Sequence, residues 1–323
     1  MSITRAERSA GLDEFGPTSA RVASLREARV WCHALTRRHR ENFAVLSALV
    51  PADRVDDFAA IYAFCRVADD LGDEMGSPDR ATELLAWWRT SLERCVRGEA
   101  SHPAFVALRE CIDRHELPAQ PFHDLITAFE QDQHKTRYET WDEVCAYCKL
   151  SADPVGRLIL MVLGERRDHE AFAASDAICT ALQLTNHWQD VRRDLIERNR
   201  IYLPIESCAA ERFEERLVST CRMGYAPDRE FLTQWRDAVR SQVVKTWGLF
   251  DRGRALIGLV QPQHRPLIWL FLAGGTSTLR QIEAWNFETC INRPTVSAWA
   301  RIALVGRARW WGRRSIEANR AAS

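Results

Sequence analysis

The sequence predicts an all-α protein built as one large domain. Three observations carry this reading. Helical spacing of apolar residues dominates after the first 20 or so residues, strand-like alternation is nearly absent, and prolines fall at the joints between periodic segments. Helices are expected over 25–40, 53–75, 79–98, 103–116, 120–134, 140–164, 170–197, 227–257, 262–287 and 295–318. Pro51, Pro78, Pro103, Pro118 and Pro262 sit at or near their starts or between them, where a missing N–H costs least. Residues 1–20 mix Gly, Pro, Ser and charges without a period and are expected to form a mobile tail before the domain, 21–318. No internal repeat and no linker rich in Gly, Ser or Pro divides the chain.

Composition narrows the class. The 323 residues are enough to bury a large core, and 46% hydrophobic with 27% charged residues is ordinary for a globular protein. The 44 basic and 44 acidic side chains cancel, so nothing electrostatic favours nucleic acid as a partner, and none is expected. The ten cysteines are scattered, and the chain opens without a secretory signal, which fits reduced thiols and a cytoplasmic setting. Cys145 and Cys148 form a C-x-x-C pair, but no second pair exists for zinc and no βαβ context for redox chemistry, so they read as packing cysteines. No apolar run approaches the roughly 20 residues of a membrane span.

The stretch R-V-A-D-D-L-G-D-E, Arg66 to Glu74, crowds acids directly behind the apolar run I-Y-A-F-C. Tyr62, Arg66, Asp69 and Asp73 follow one another at offsets of four, three and four, so they share one narrow helical face. Like charges one turn apart repel, which leaves two explanations: a solvated acidic face, or a site that something cationic fills. A second constellation lies in Q-L-T-N-H-W-Q-D-V-R-R-D-L-I-E-R-N-R-I-Y-L-P, where Asn186, Asp190 and Asp194 stand at i, i+4 and i+8, with Arg200 and Tyr202 just beyond. Alone, either cluster reads most simply as a solvated face. Together, each flanked by aromatic and apolar residues, they point to a site. Hard oxygen donors without His or Cys select Mg²⁺ or Mn²⁺, and Mg²⁺ typically joins a few carboxylates to a phosphate group. Two such faces suit a diphosphate held as a leaving group, with aromatic walls to shield the carbocation left behind.

With these motifs in place, the sequence resembles the squalene/phytoene synthase family over about residues 35 to 295. The D-x-x-x-D inside Y-A-F-C-R-V-A-D-D and the N-x-x-x-D-x-x-x-D leading into R-I-Y-L-P carry the likeness, and Y-C-K-L-S-A-D-P-V-G, Tyr147 to Gly156, resembles the family's tyrosine-to-glycine cavity helix. The resemblance implies an all-α isoprenoid-synthase fold, Mg²⁺ dependence and isoprenoid diphosphate substrates. By position it implies Asp69, Asp73, Asn186 and Asp190 as Mg²⁺ ligands with Asp194 supporting them, Arg66 and Arg200 at the diphosphate, and Tyr62, Tyr147 and Tyr202 at the reacting centre. Within the family, E-N-F (Glu41, Asn42, Phe43) and Gln189, which stands where phytoene and dehydrosqualene synthases usually carry Arg, look most like the bacterial hopanoid-pathway branch of hydroxysqualene synthases. That branch implies presqualene diphosphate as substrate, water as the terminating nucleophile, substrate contacts from Asn42, Phe43 and Gln189, and handover from a presqualene diphosphate synthase. N-F-E-T-C-I-N-R-P matches the family's Y-D segment only loosely, with Phe287 in the tyrosine's place, and receives no role.

Other classes fit less well. A di-iron bundle needs two helical E-x-x-H pairs, and only Glu99 and His102 match, in a stretch broken by Gly98 and Pro103. A helical scaffold without chemistry would not need two acidic faces. Squalene, presqualene diphosphate, phytoene and dehydrosqualene synthases share both motifs and remain alternatives. His187 is turned about 100° from Asn186 along the helix, so packing or support behind the ligands suits it better than ligation. The C-terminal A-R-I-A-L-V-G-R-A-R-W-W-G-R-R interleaves arginines with Trp310 and Trp311; it suits either a docked terminal helix or peripheral contact with the anionic inner face of a membrane.

Overall fold

In the computed structural model, residues 5–38 and 49–322 are described, with side chains over 6–38 and 49–313. Asn42 and Phe43 lie outside the described residues. The chain is all-α: among the described residues the one extended pairing is an isolated parallel bridge between Arg137 and Ile201. It forms two compact units, Met1–His134 with Arg157–Arg167, and Lys135–Gly156 with Asp168–Ser323.

The helices of the first unit are α1 (Arg5–Ser9), α2 (Leu12–Phe15), α3 (Leu25–Arg38), α4 (Val55–Asp73), α5 (Pro78–Val96), α6 (Pro103–His115) and α7 (Gln120–Gln131). Prolines open α5 and α6 as the sequence suggests, with Ser77 and His102 side chains accepting from the first-turn N–H groups of Arg80 and Ala104. The core is aromatic. Phe64 of α4 stacks on Trp88 of α5 at 5.8 Å and meets Phe122 of α7 edge-on at 5.1 Å, while Trp88 and Phe105 approach to 4.2 Å. Buried Asp57 ties α4 to α6: Arg114 donates to it at 3.0 Å and His115 Nε2 lies 2.8 Å away. Cys111 joins Asp57 and His115 in one buried cluster, but both Asp57 oxygens already accept from these bases, so the cluster works as an ionic clamp.

Within the stretch expected as a tail, α1 and α2 form and Ala10 and Phe15 are buried. Gly11 makes the corner between them at φ +71°, a conformation that suits glycine. His102 Nε2 reaches the Ala10 carbonyl at 3.0 Å. These contacts come from residues far along the chain, which is why local periodicity did not signal them.

The second unit holds α8 (Trp141–Ser151), α10 (His169–Gln189), α11 (Val191–Arg198), α12 (Phe213–Met223), α13 (Arg229–Gly253), the single turn α14 (Leu256–Leu259), α15 (Arg265–Ala284) and α16 (Ala298–Ala322); α9 (Asp153–Val162) begins in it. The segment 140–164, expected as one helix, is two. Ala152 leaves helical geometry, Asp153 turns its carboxylate to the Thr180 hydroxyl at 2.8 Å, and Pro154, lacking an N–H, opens α9. Three helices meet at glycines in this unit. A Cβ on Gly253 would sit 2.5 Å from Ile178, and one on Gly275 2.5 Å from Leu182 and 2.6 Å from Phe250, so α13 and α15 approach α10 more closely than any side chain allows.

Candidate active site

The first acidic face forms as expected on α4. Asp69 is half-buried and takes a 2.8 Å hydrogen bond from Arg66, and Tyr62 and Asp73 are half-buried on the same face. Arg66 also donates to Asp70, a residue the spacing argument passed over because it points off the shared stripe. Asp70 is nearly fully buried, and its Oδ2 has no hydrogen-bond partner among the described residues. Burial pushes its carboxyl up to about 7, against the pull of Arg66.

The second face is built differently from the expected unbroken helix over 170–197. Asp190 leaves helical geometry at φ −100°, ψ 12°, and divides α10 from α11. The backbone ladder nevertheless continues through it, Asp190 N to Asn186 O and Asp194 N to Asp190 O, both at 2.9 Å, so the i, i+4, i+8 spacing survives the break. Asn186 is exposed, whereas Asp190 and Asp194 are buried. Arg193 reaches Asp190 at 2.7 Å and Asp194 at 3.7 Å, and Arg198 lies 3.5 Å from Asp194. Arg293, from the loop before α16, grips both oxygens of Asp190. Gln189 donates its amide to the Pro294 carbonyl and so anchors the loop that carries Arg293. Neither partner was legible in the sequence, because N-R-P lies outside any periodic segment; only its Arg-Pro dipeptide marks it as a loop.

Beyond α11, Asn199 adopts φ +55° and ends the helix. The next residues are pinned to the strand-like segment before α8: Ile201 N donates to Thr136 O and Ile205 N to Tyr138 O, both at 2.9 Å. This registration buries Arg200 and Tyr202. Tyr202 stacks on Tyr138 with centroids 5.5 Å apart, and Tyr147 of α8 lies 5.4 Å from Tyr202. His187 completes the cluster, its ring 3.8 Å from Tyr202 and nearly parallel at 18°, and 5.8 Å from Tyr147. Burial, with Arg200 nearby, pushes its imidazole down to about 3. The second unit therefore joins its acidic face to a tyrosine cluster through consecutive residues of α10.

The donor set fits Mg²⁺. Each face offers two carboxylates, with an amide on the second, and no His or Cys ligand; Mg²⁺ keeps several waters and needs only one or two carboxylates besides phosphate oxygens. Asp69, Asp190 and Asp194 now lean on arginines, and Asp70 buries an unbonded carboxylate oxygen, the electrostatics of sites short of positive charge. All ten thiols are free, and desolvation pushes those buried most deeply well above the usual thiol range, so they compete poorly as ligands or nucleophiles.

The family model for squalene/phytoene synthase matches residues 36–300. The chain belongs to the squalene/phytoene synthase family. Enzymes of this family are isoprenoid synthases that bind isoprenoid diphosphates and use divalent metal ions. Among relatives, the hydroxysqualene synthase of Sinorhizobium fredii (strain NBRC 101917 / NGR234) is 37% identical over 225 residues, covering 69% of this chain and 73% of that protein. The hydroxysqualene synthase of Rhodopseudomonas palustris (strain ATCC BAA-98 / CGA009) is 43% identical over 170 residues, or 52% of this chain and 56% of that protein. Among solved structures, squalene synthase HpnC from Alicyclobacillus acidocaldarius is 40% identical and superposes with a TM-score of 0.70, covering 81% of this chain and 95% of that one. The all-α isoprenoid-synthase fold expected from the sequence is thereby established.

Proposed function

We propose that this chain converts presqualene diphosphate and water to hydroxysqualene and diphosphate, as a step in squalene and hopanoid biosynthesis. The observation that carries the branch is the likeness to two hydroxysqualene synthases, at 37% and 43% identity. Asp69, Asp73, Asn186 and Asp190 act as Mg²⁺ ligands, with Asp194 in support and Arg66 and Arg200 at the phosphate oxygens. The metal, when bound, neutralises charge that builds on the leaving group. Arg293 balances Asp190 before substrate arrives, and Gln189 acts through the loop it anchors. Tyr62, Tyr147 and Tyr202 line the reacting carbons, where their rings tolerate a cation and exclude bulk water. Asn42 and Phe43 take part in substrate binding.

The reaction is tested directly. Purified protein given presqualene diphosphate in ¹⁸O-water should require Mg²⁺, incorporate the label into an alcohol product, and respond to NADPH in neither rate nor product. Squalene formed only with NADPH, or presqualene diphosphate accumulating as the end product from farnesyl diphosphate, would exclude this branch.

The product is water-insoluble and the substrate carries a long isoprenoid chain, and α16 is suited to meeting them at a bilayer. No helix among the described residues is long and apolar enough to cross one. On α16, Ala308 is fully buried, Trp311 packs edge-on to Trp269 of α15 at 6.4 Å, and Arg307 covers Trp269. The opposite side exposes Trp299 by 81%, Ile302 by 60% and Trp310 by 58%, all within roughly 80° of arc. Exposed Arg309 borders that stripe and exposed Arg313 lies within its arc, and no acid occurs between residues 289 and 316. The apolar stripe with its arginines is matched to anionic lipid at the inner face of the cell membrane, where a presqualene diphosphate synthase would hand over its product. Truncation after residue 297 should weaken binding to phosphatidylserine vesicles several-fold more than it weakens activity on detergent-dispersed substrate, and salt should weaken full-length binding, since surface charges are screened over about 10 Å at 0.1 M. Equal vesicle binding by both proteins would remove the membrane role.

A further inference from the structure

We propose that Nε2 of His187 holds the water that captures the carbocation. The inference rests on the proposed hydration of presqualene diphosphate and adds the residue that makes hydration, and not proton loss, the outcome. Three observations converge on this ring. It is 5% exposed, its Nε2 is buried, and no described residue hydrogen-bonds to that atom. A buried imidazole nitrogen left unpaired is costly, so a fold that keeps one in place generally matches it with a ligand or water. The ring is also held flat against Tyr202, with Tyr147 beside it, which fixes where Nε2 points without using that atom. Finally, it follows Asn186 in α10, so its backbone lies one residue from the face assigned to the leaving diphosphate, with the ring turned about 100° from Asn186.

The chemistry needs such an atom. A wall made only of aromatic and aliphatic groups shields a cation but gives a single water no place to dwell. An imidazole with its proton on Nδ1 presents one lone pair at Nε2. Water that donates one hydrogen to it turns an oxygen lone pair outward, toward the cationic carbon. Capture then forms one C–O bond from that pair. The oxonium loses one proton to the released diphosphate, the nearest strong base, and the neutral alcohol remains. Charge and atoms balance without oxidant or reductant, and His187 begins and ends the step in the same state. The simpler role, a ring that merely packs on Tyr202, leaves the buried Nε2 without a purpose.

The two roles separate on product partition. His187→Phe preserves the stack and deletes the acceptor, whereas His187→Gln restores an acceptor without the stack. With presqualene diphosphate and Mg²⁺, His187→Phe should release diphosphate within about threefold of the wild-type rate, yet its ratio of alcohol to hydrocarbon products should fall about tenfold or more. His187→Gln should recover a substantial part of the alcohol. Should His187→Phe prove insoluble, His187→Leu gives the same ratio. A wild-type ratio in the acceptor-less variants overturns the proposal, and so does an equal loss of alcohol and diphosphate release, which is what a purely structural ring predicts. Wild-type protein that ionises the substrate but forms no alcohol refutes the parent reading itself, and this inference with it.

Discussion

Asp69→Asn and Asp190→Asn should each lower the rate of diphosphate release by about 100-fold or more at saturating Mg²⁺, while both proteins stay folded. Each substitution keeps size and hydrogen-bonding shape and removes one negative charge from the face that would bind metal. Asp69 is partly solvated and held mainly by Arg66 at 2.8 Å, so its loss costs little stability. It also relieves repulsion from its acidic neighbours on α4. Asp190 is the more telling position, because it is buried and gripped by both Arg193 and Arg293. Its replacement leaves two arginines facing an amide, and some loss of thermal stability is expected in the absence of ligand. Activity should fall much further than stability. A second readout separates metal binding from general damage: Mg²⁺ with a non-hydrolysable diphosphate analogue should raise the melting temperature of the wild type and fail to raise that of either variant. Near-wild-type turnover by both variants would end the assignment of Asp69 and Asp190 as metal ligands.

The parts of the molecule that were legible in sequence are those whose cause is local. Tyr62, Arg66, Asp69 and Asp73 share a face because α4 is an ordinary helix, and offsets of four, three and four are enough to say so. Asn186, Asp190 and Asp194 were found for the same reason, although the helix breaks at Asp190; the hydrogen-bond ladder runs through the break and preserves the spacing. α12 was overlooked although its buried Phe213, Leu217, Thr220 and Cys221 are helically spaced and Gly224 ends it in the left-handed region. Its polar, Glu- and Arg-rich surroundings masked a weak stripe. Arg293 and the burial of Asp70 and His187 were beyond reach. Each depends on which distant segment returns to cover a given position, and no periodicity encodes that. His187 illustrates the limit: its angle along the helix argues against metal ligation, but only the packed fold reveals a buried nitrogen with no hydrogen-bond partner among the described residues.

Acid should destabilise the protein through His102, and the sign follows from its bonds. Nδ1 accepts from the Ala104 N–H at 3.2 Å and Nε2 donates to the Ala10 carbonyl at 3.0 Å, an arrangement that only the neutral ring can make. Protonation would set a second N–H against Ala104, in a site walled by Trp31, Trp88 and Phe15. Burial accordingly pushes the imidazole down to about 4, against the pull of the Ala10 bond. In the unfolded chain the same ring titrates near 6.5. The unfolded state thus takes up a proton that the folded state refuses. The stability is fully present above pH 6.5 and is lost as pH falls from about 6.5 toward 4, with a ceiling of about 3 kcal/mol. His102→Asn retains a capping oxygen for Ala104 but has nothing to titrate. Denaturant melts at pH 7 and pH 4.5 should show the wild type losing more stability than His102→Asn, with other acid-sensitive groups, His187 among them, cancelling in the difference. Protease cleavage near Gly11 should rise in the wild type over the same range, because the protonated ring releases the Ala10 carbonyl that ties α1 and α2 to α6. Identical acid dependence in the two proteins would mean that His102 keeps its neutral bonds without thermodynamic consequence, and the linkage would be wrong.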